Sequence, residues 1–174
     1  MTDSSARAHP AQRQAFDEWP RTLLDWFDGT ALERKLGFTA SLVTGRADGR
    51  IGTSLLGIGE CYAPDSRALC FAVWAGSRTA ATLAAGAPAA LTFVFDEAFY
   101  QVQLDVAAMR SVPAAQHAGL ACFRGVLASG EAQRVPYARL TSGMTFELEE
   151  NRRDEVLERW RAQIAWLREA VSAA

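Results

Sequence analysis

The chain is 174 residues long, 49% hydrophobic and 22% charged, with a formal net charge of −2. Those totals fit a soluble domain with one sizeable core, and they exclude the broad basic face that nucleic-acid binding requires. No apolar run approaches the ~20 residues that span a bilayer, so no membrane-embedded role is expected.

The polar start, Met1 to Gln14, lacks the apolar stretch of a signal peptide, and the expected location is the cytoplasm. Residues 1–15 are expected to be disordered or loosely attached, and 16–174 to form a single domain. Trp19-Pro20 opens a helix, because proline suits the first helical position; Leu23, Trp26 and Phe27 give it an apolar face and Gly29 closes it. Thr30-Ala-Leu-Glu33 has the form of a capping box and predicts a second short helix ended by Gly37.

From Phe38 the period becomes that of strands. Phe38–Arg46 and Arg50–Glu60 flank Asp48-Gly49, a strong hairpin signal. Gly57 and Gly59 predict a bulge or, less favoured, a close approach of backbone. Leu69, Phe71 and Val73 alternate with Ala68, Cys70, Ala72 and Trp74 in a third strand, which turns at Gly76 into a short helix capped by Ser77 and ended by Gly86. Ser77, Arg78 and Thr79 at that helix start read either as a small anion site or as an ordinary capped helix with a solvated arginine. Pro88 leads into a strand with Leu91, Phe93 and Phe95 alternating, and Asp96-Glu97 turns into a long strand from about Ala98 to Ser111. Leu120, Phe123 and Leu127 suggest a helix over Pro113–Val135, weakened by Gly125 and Gly130. Gly143–Glu149 alternates as a sixth strand, and Asn151 caps a terminal helix whose seam is Leu157, Trp160, Ile164, Leu167 and Val171. The expected fold is therefore mainly β: a six-stranded antiparallel split barrel with N-terminal helices, a short helix after strand three and a C-terminal helix.

Cys61, Cys70 and Cys122 are odd in number and lack CxxC spacing, so buried free thiols are expected. Of the two histidines, His9 lies in the polar start and His117 is expected on the solvent face of the helix over 113–135. No metal site is expected from them.

The order of these elements resembles the pyridoxamine 5′-phosphate oxidase-like superfamily of FMN-binding split barrels. The resemblance runs from about Leu36 to Trp160. It is carried by Phe38–Thr44, Asp48-Gly49, Thr53-Ser54-Leu55, Phe71-Ala-Val-Trp-Ala-Gly-Ser-Arg-Thr-Ala-Ala-Thr-Leu83, Pro88–Phe95 and Leu140–Phe146. It implies a homodimer with flavin sites between the subunits. In that arrangement Trp74, Ser77, Arg78, Thr79 and Thr82 would face the phosphate and ribityl chain, and Thr53, Ser54 and Leu55 would lie along the ring. Family members often carry lysine where this chain has Thr79 and asparagine where it has Thr82. This chain also lacks the Arg/His-rich C-terminal segment of pyridoxamine phosphate oxidase, so oxidation of vitamin B6 is not expected. Three readings follow: an FMN-dependent oxidoreductase acting on a small molecule by hydride transfer at flavin N5, a non-catalytic holder of FMN, haem or a deazaflavin, or a barrel without cofactor. Thr53 and Ser54 are the hydroxyls nearest the implied ring, neither with a claim to being catalytic. His117 is the nominee for an axial haem ligand.

Overall fold

The computed structural model describes residues 10–110, 117 and 119–173. Among them eight strands form one antiparallel sheet, curled into a half-barrel, in the order β3-β2-β6-β7-β8-β5-β4, with β1 paired to the far half of β8.

Strand β1 (Gln12–Phe16) corrects the expectation of a loose start for residues 12–15, which pair with the sheet antiparallel to 130–134. Helix α1 (Arg21–Trp26) follows, with Pro20 at its N-cap. Trp19 Nε1 donates to the Ala68 carbonyl at 3.0 Å, fastening the helix to the sheet. Phe27 meets Phe38 and Phe93 edge-on at 5.6 and 5.7 Å, geometry that ring quadrupoles favour. The expected capping box at Thr30 does not form. Thr30 donates through its amide and hydroxyl to the Asp28 carboxylate, Ala31 adopts a left-handed φ of 48°, and a 3₁₀ turn at Leu32–Lys35 replaces the helix. Lys35, buried, is neutralised by Asp28 at 2.8 Å. Burial opposes ionisation of Asp28, but the bonds from Lys35 and Thr30 outweigh it and hold its carboxyl below the ordinary value.

The Asp48-Gly49 hairpin forms as read, between β2 (Thr39–Gly45) and β3 (Ile51–Gly57). The second strand stops sooner than expected, at a 3₁₀ turn over Ile58–Glu60, before the two-residue β4 (Cys61–Tyr62). Close approach, not a bulge, explains the glycine there: a Cβ on Gly59 would sit 2.0 Å from Trp160 Cγ. Strand β5 (Ala68–Trp74), helix α2 (Arg78–Ala84), β6 (Ala89–Phe95) and β7 (Ala98–Ala108) follow the expected order. Asp96 and Glu97, both with positive φ, form the tight turn between β6 and β7.

Two elements correct the sequence reading. The helix expected over 113–135 is, where described beyond Gly119, a fifteen-residue strand, β8 (Leu120–Arg134). It pairs with β7 along one edge and with β5 and then β1 along the other. The register shifts at Gln103/Leu104, where Gln103 faces Ser129 and Leu104 faces Leu127. The extra residue flips the inward parity, so Phe123, Gly125 and Leu127 give way to Gly130 and Ala132 on the buried side. Phe123 and Leu127, four apart, share a face of a strand as readily as of a helix, and Leu120 lies on the other face of β8. The expected strand over Gly143–Glu149 is irregular. Its alternation does turn Phe146 and Leu148 toward the core, but the segment finds no sheet edge to pair with. Among the described residues the strand count is therefore eight, not six.

Helix α3 (Arg153–Ser172) starts after a 3₁₀ turn containing Asn151, which does not cap it. Leu157, Trp160, Ile164 and Leu167 are buried against the sheet, and Arg161 ion-pairs with Glu33. No described helix is long and apolar enough to cross a membrane. Cys61, Cys70 and Cys122 are free and buried.

Candidate functional site

Strand β5 is buried from Ala68 to Val73 and then delivers Trp74 to the surface, 70% exposed. Its backbone closes a turn in which the Ser77 amide donates to the Trp74 carbonyl at 2.9 Å. Alongside, the Ala75 amide donates to the Gly119 carbonyl at 2.8 Å, which lays the segment leading into β8 next to Trp74. Helix α3 crosses the same end of the sheet. Between them opens a cleft of about 530 Å³. It is lined by Ser54 and Leu55 of β3, Val73 and Trp74 of β5, Ser77 and Leu120, together with Glu60, His117, Arg159 and Gln163. That volume falls in the range of small-molecule pockets, ~300–1,000 Å³.

The residues nominated from the sequence divide. Ser54, Leu55, Trp74 and Ser77 meet in the cleft. Thr79 stands behind its wall, buried, with Oγ1 2.6 Å from Ser54 Oγ. Ser77 Oγ accepts from the Ala80 amide at 3.1 Å, so it caps α2 as the sequence indicates. Thr53 is exposed on the same face of β3 as Leu55 but does not line the cleft, and Arg78 is exposed outside it. Thr82 lines a separate open hollow with Arg46, Asp48 and Pro88. The hydroxyls of the helix start are thus engaged within the protein and do not converge with Arg78.

The rest of the lining was not legible from spacing. His117, expected on a solvent face, is 5% exposed, and its ring stacks on Trp166 with centroids 4.9 Å apart. Its Nε2 is buried and has no hydrogen-bond partner among the described residues. Such a nitrogen forfeits ~1–3 kcal/mol until something pairs with it. Gln163 is also 5% exposed. Arg159, Gln163 and Trp166 stand at i, i+4 and i+7, a second face of α3 beside its core seam. Glu60 accepts from the Gly57 amide at 2.7 Å. Burial pushes its carboxyl above the ordinary value, against the pull of that amide and of Arg159. No cluster of side chains among the described residues could hold a metal ion.

No family model and no curated protein matches the chain. Solved structures similar to it include a Lactobacillus delbrueckii protein named after pyridoxamine 5′-phosphate oxidase, at 12% identity and a TM-score of 0.49, over 66% of this chain and 94% of that one. An F420 reductase aligns at 13% identity and a TM-score of 0.45, over 55% of this chain and 90% of its own. An FMN-binding protein from Syntrophomonas wolfei aligns at 10% and 0.45, over 63% and 85%. The likeness is one of shape.

Proposed function

We propose that the cleft binds FMN and that the protein is an FMN-dependent oxidoreductase acting on a small molecule. The observation that carries this reading is the cleft itself: a pocket of about 530 Å³ whose lining combines apolar side chains, an exposed indole and polar groups. A flat amphipathic ring needs that division of surfaces. Leu55, Val73 and Leu120 supply the apolar wall, and the Trp74 indole shields the mouth from water. When bound, FMN supplies a hydride acceptor and donor at N5. Arg159 is the cation lining the cleft for a phosphate, and Ser77, whose Oγ accepts from the Ala80 amide, still has its own proton to donate. The lysine common in the resembling family is Thr79 here, and its hydroxyl is committed to Ser54. One charge-assisted contact fewer weakens binding by roughly 10- to 100-fold, so FMN is held in exchange with solution.

Leu55 (51% exposed), Ile51 (72%) and Trp74 (70%) leave apolar surface on and near the open edge strand β3, which a second copy of the chain would cover. Light scattering should then give twice the monomer mass.

FMN titration tests the main reading. Flavin fluorescence should be quenched on binding, and the melting temperature should rise, because ligand stabilises the folded state only. A protein that stays colourless and leaves both signals unchanged refutes it. A second reading, haem binding, is favoured by one observation: His117, whose Nε2 has no hydrogen-bond partner among the described residues, is one of the residues lining the cleft. A Soret band abolished in His117→Ala would establish it in place of flavin.

A further inference from the structure

Two polar side chains on the lining of the cleft have no partner in the protein and are open to one from outside it. Gln163 is 5% exposed, lines the cleft and makes no hydrogen bond with any described residue. Its amide is nevertheless not sealed: among the described residues, the only side-chain atoms both cut off from solvent and unpaired are Trp26 Nε1 and His117 Nε2. Glu60 lines the same cleft. Its Oε2 accepts from the Gly57 amide at 2.7 Å, and its Oε1, likewise unsealed, has no hydrogen-bond partner among the described residues. The packing of the Ile58–Glu60 turn on α3 places the two near each other. A Cβ on Gly57 would lie 3.3 Å from Trp160 Cζ2 and 3.7 Å from Glu60 Oε2, which sets the carboxyl near that indole. Gln163 follows Trp160 by three residues, about one turn further along the helix. Buried polar groups are almost always paired, so an amide and a carboxylate oxygen left open on the wall of a cleft mark where a bound molecule presents complementary atoms.

We infer that Glu60 and Gln163 read an imide or lactam edge of a planar heterocycle: Glu60 Oε1 accepts from the ring N–H, and the Gln163 amide donates to the carbonyl next to it. An ionised carboxylate only accepts and an amide can donate, which is the pattern that an N–H flanked by a carbonyl requires. Burial disfavours the charge on Glu60, so an N–H brought to Oε1 gains more there than it would in water. Flavins and deazaflavins carry such an edge at N3, between two carbonyls, and haem does not. This rests on the flavin reading and deepens it by naming the edge of the ring that the protein recognises.

FMN and its N3-methyl derivative share the phosphate and the carbonyls and differ in that one N–H. Their dissociation constants are measured by fluorescence quenching on the wild type, Glu60→Gln and Gln163→Leu. The wild type should bind FMN about tenfold more tightly than the N3-methyl form. Glu60→Gln keeps the size of the side chain but offers one acceptor oxygen to two N–H donors, Gly57 and the ring. It should weaken FMN by about tenfold and leave the N3-methyl form nearly unchanged, so that the preference disappears. Gln163→Leu removes the donor to a carbonyl that both ligands carry. It should weaken both by the same factor, about fivefold, with the preference kept and no fall in the ligand-free melting temperature. A wild type that binds the two ligands equally well overturns the inference and leaves the flavin reading intact. A Glu60→Gln protein that keeps the preference for FMN overturns it too. Unchanged affinities in Gln163→Leu overturn it as well, and a fall in the ligand-free stability of that variant overturns it by making Gln163 a packing residue. A wild type that binds neither ligand removes the flavin reading and this inference together.

Discussion

Replacing Gly59 with alanine asks whether α3 is seated where the structure puts it. A Cβ there would lie 2.0, 2.3 and 2.4 Å from Cγ, Cδ2 and Cβ of Trp160. These atoms form the root of the indole, so no rotation of the side chain clears them. Helix α3 must move away from the Ile58–Glu60 turn. Overpacking of this kind costs up to ~3 kcal/mol, and the stiffer unfolded chain of an alanine variant returns at most ~1, leaving roughly 2 kcal/mol of destabilisation. For a chain of this size that lowers the melting temperature by about 4–8 °C, readable by circular dichroism or calorimetry. Gly76→Ala is the internal control. Nothing lies within 4 Å of its Cβ, so it should be neutral or slightly stabilising. In Gly59→Ala, Trp160→Ala the second substitution should cost much less than it does alone, since the two changes share one contact. A Gly59→Ala protein as stable as Gly76→Ala would refute the argument and detach α3 from the cleft.

Ser54→Ala strands the buried hydroxyl of Thr79 and should cost about 1–2 kcal/mol in chemical denaturation. Adding Thr79→Val should recover part of this, because the orphaned group is then gone. Glu60→Gln should raise the melting temperature at neutral pH, with the gain fading on acidification. The folded protein raises the Glu60 pKa, so it binds that proton more tightly than the unfolded chain, and wild-type stability falls as pH rises from the ordinary carboxylate value through the raised one. A pH-independent difference between the two proteins would show that the carboxylate carries no such penalty. Native protein should resist thiol reagents until it unfolds. Burial lifts the Cys70 thiol to about 11 and Cys122 to about 12, and Cys61 moves in the same direction, so all three stay protonated.

What the sequence disclosed follows the range of the interactions involved. The Asp48-Gly49 turn, the Ser77 cap and the alternation along β5, β6 and β7 are local, and each could be read from a few adjacent residues. Strand β8 could not. Its inward glycines are small because of distant partners: at Gly130 a Cβ would fall 2.1 Å from the ring of Phe16. Phe123 and Leu127, four residues apart, fit one face of a strand and of a helix alike, so their spacing did not decide between the two. The cleft divides in the same way. Ser54, Leu55, Trp74 and Ser77 lie on elements with clear periodicity, whereas His117 and Gln163 acquire their surroundings only once α3 folds back across β5. Arg159, Gln163 and Trp166 did carry a trace of this, as a polar and aromatic face on a helix already supplied with an apolar seam.

Strand β8 is also the last strand of the sheet to be synthesised, and three others depend on it. While the nascent chain is still short of Leu120, β2, β3 and β6 already have their neighbours, but β7 has only β6 beside it, β5 only the two residues of β4, and β1 none. The most thoroughly apolar strand of the molecule must therefore wait on the ribosome for a partner made much later. Long-range pairing of this sort slows folding and leaves a sticky edge in the interim. Chains cut short before Leu120 should on that account be trapped by chaperones or aggregate, and release of β8 is the event that commits the barrel to close.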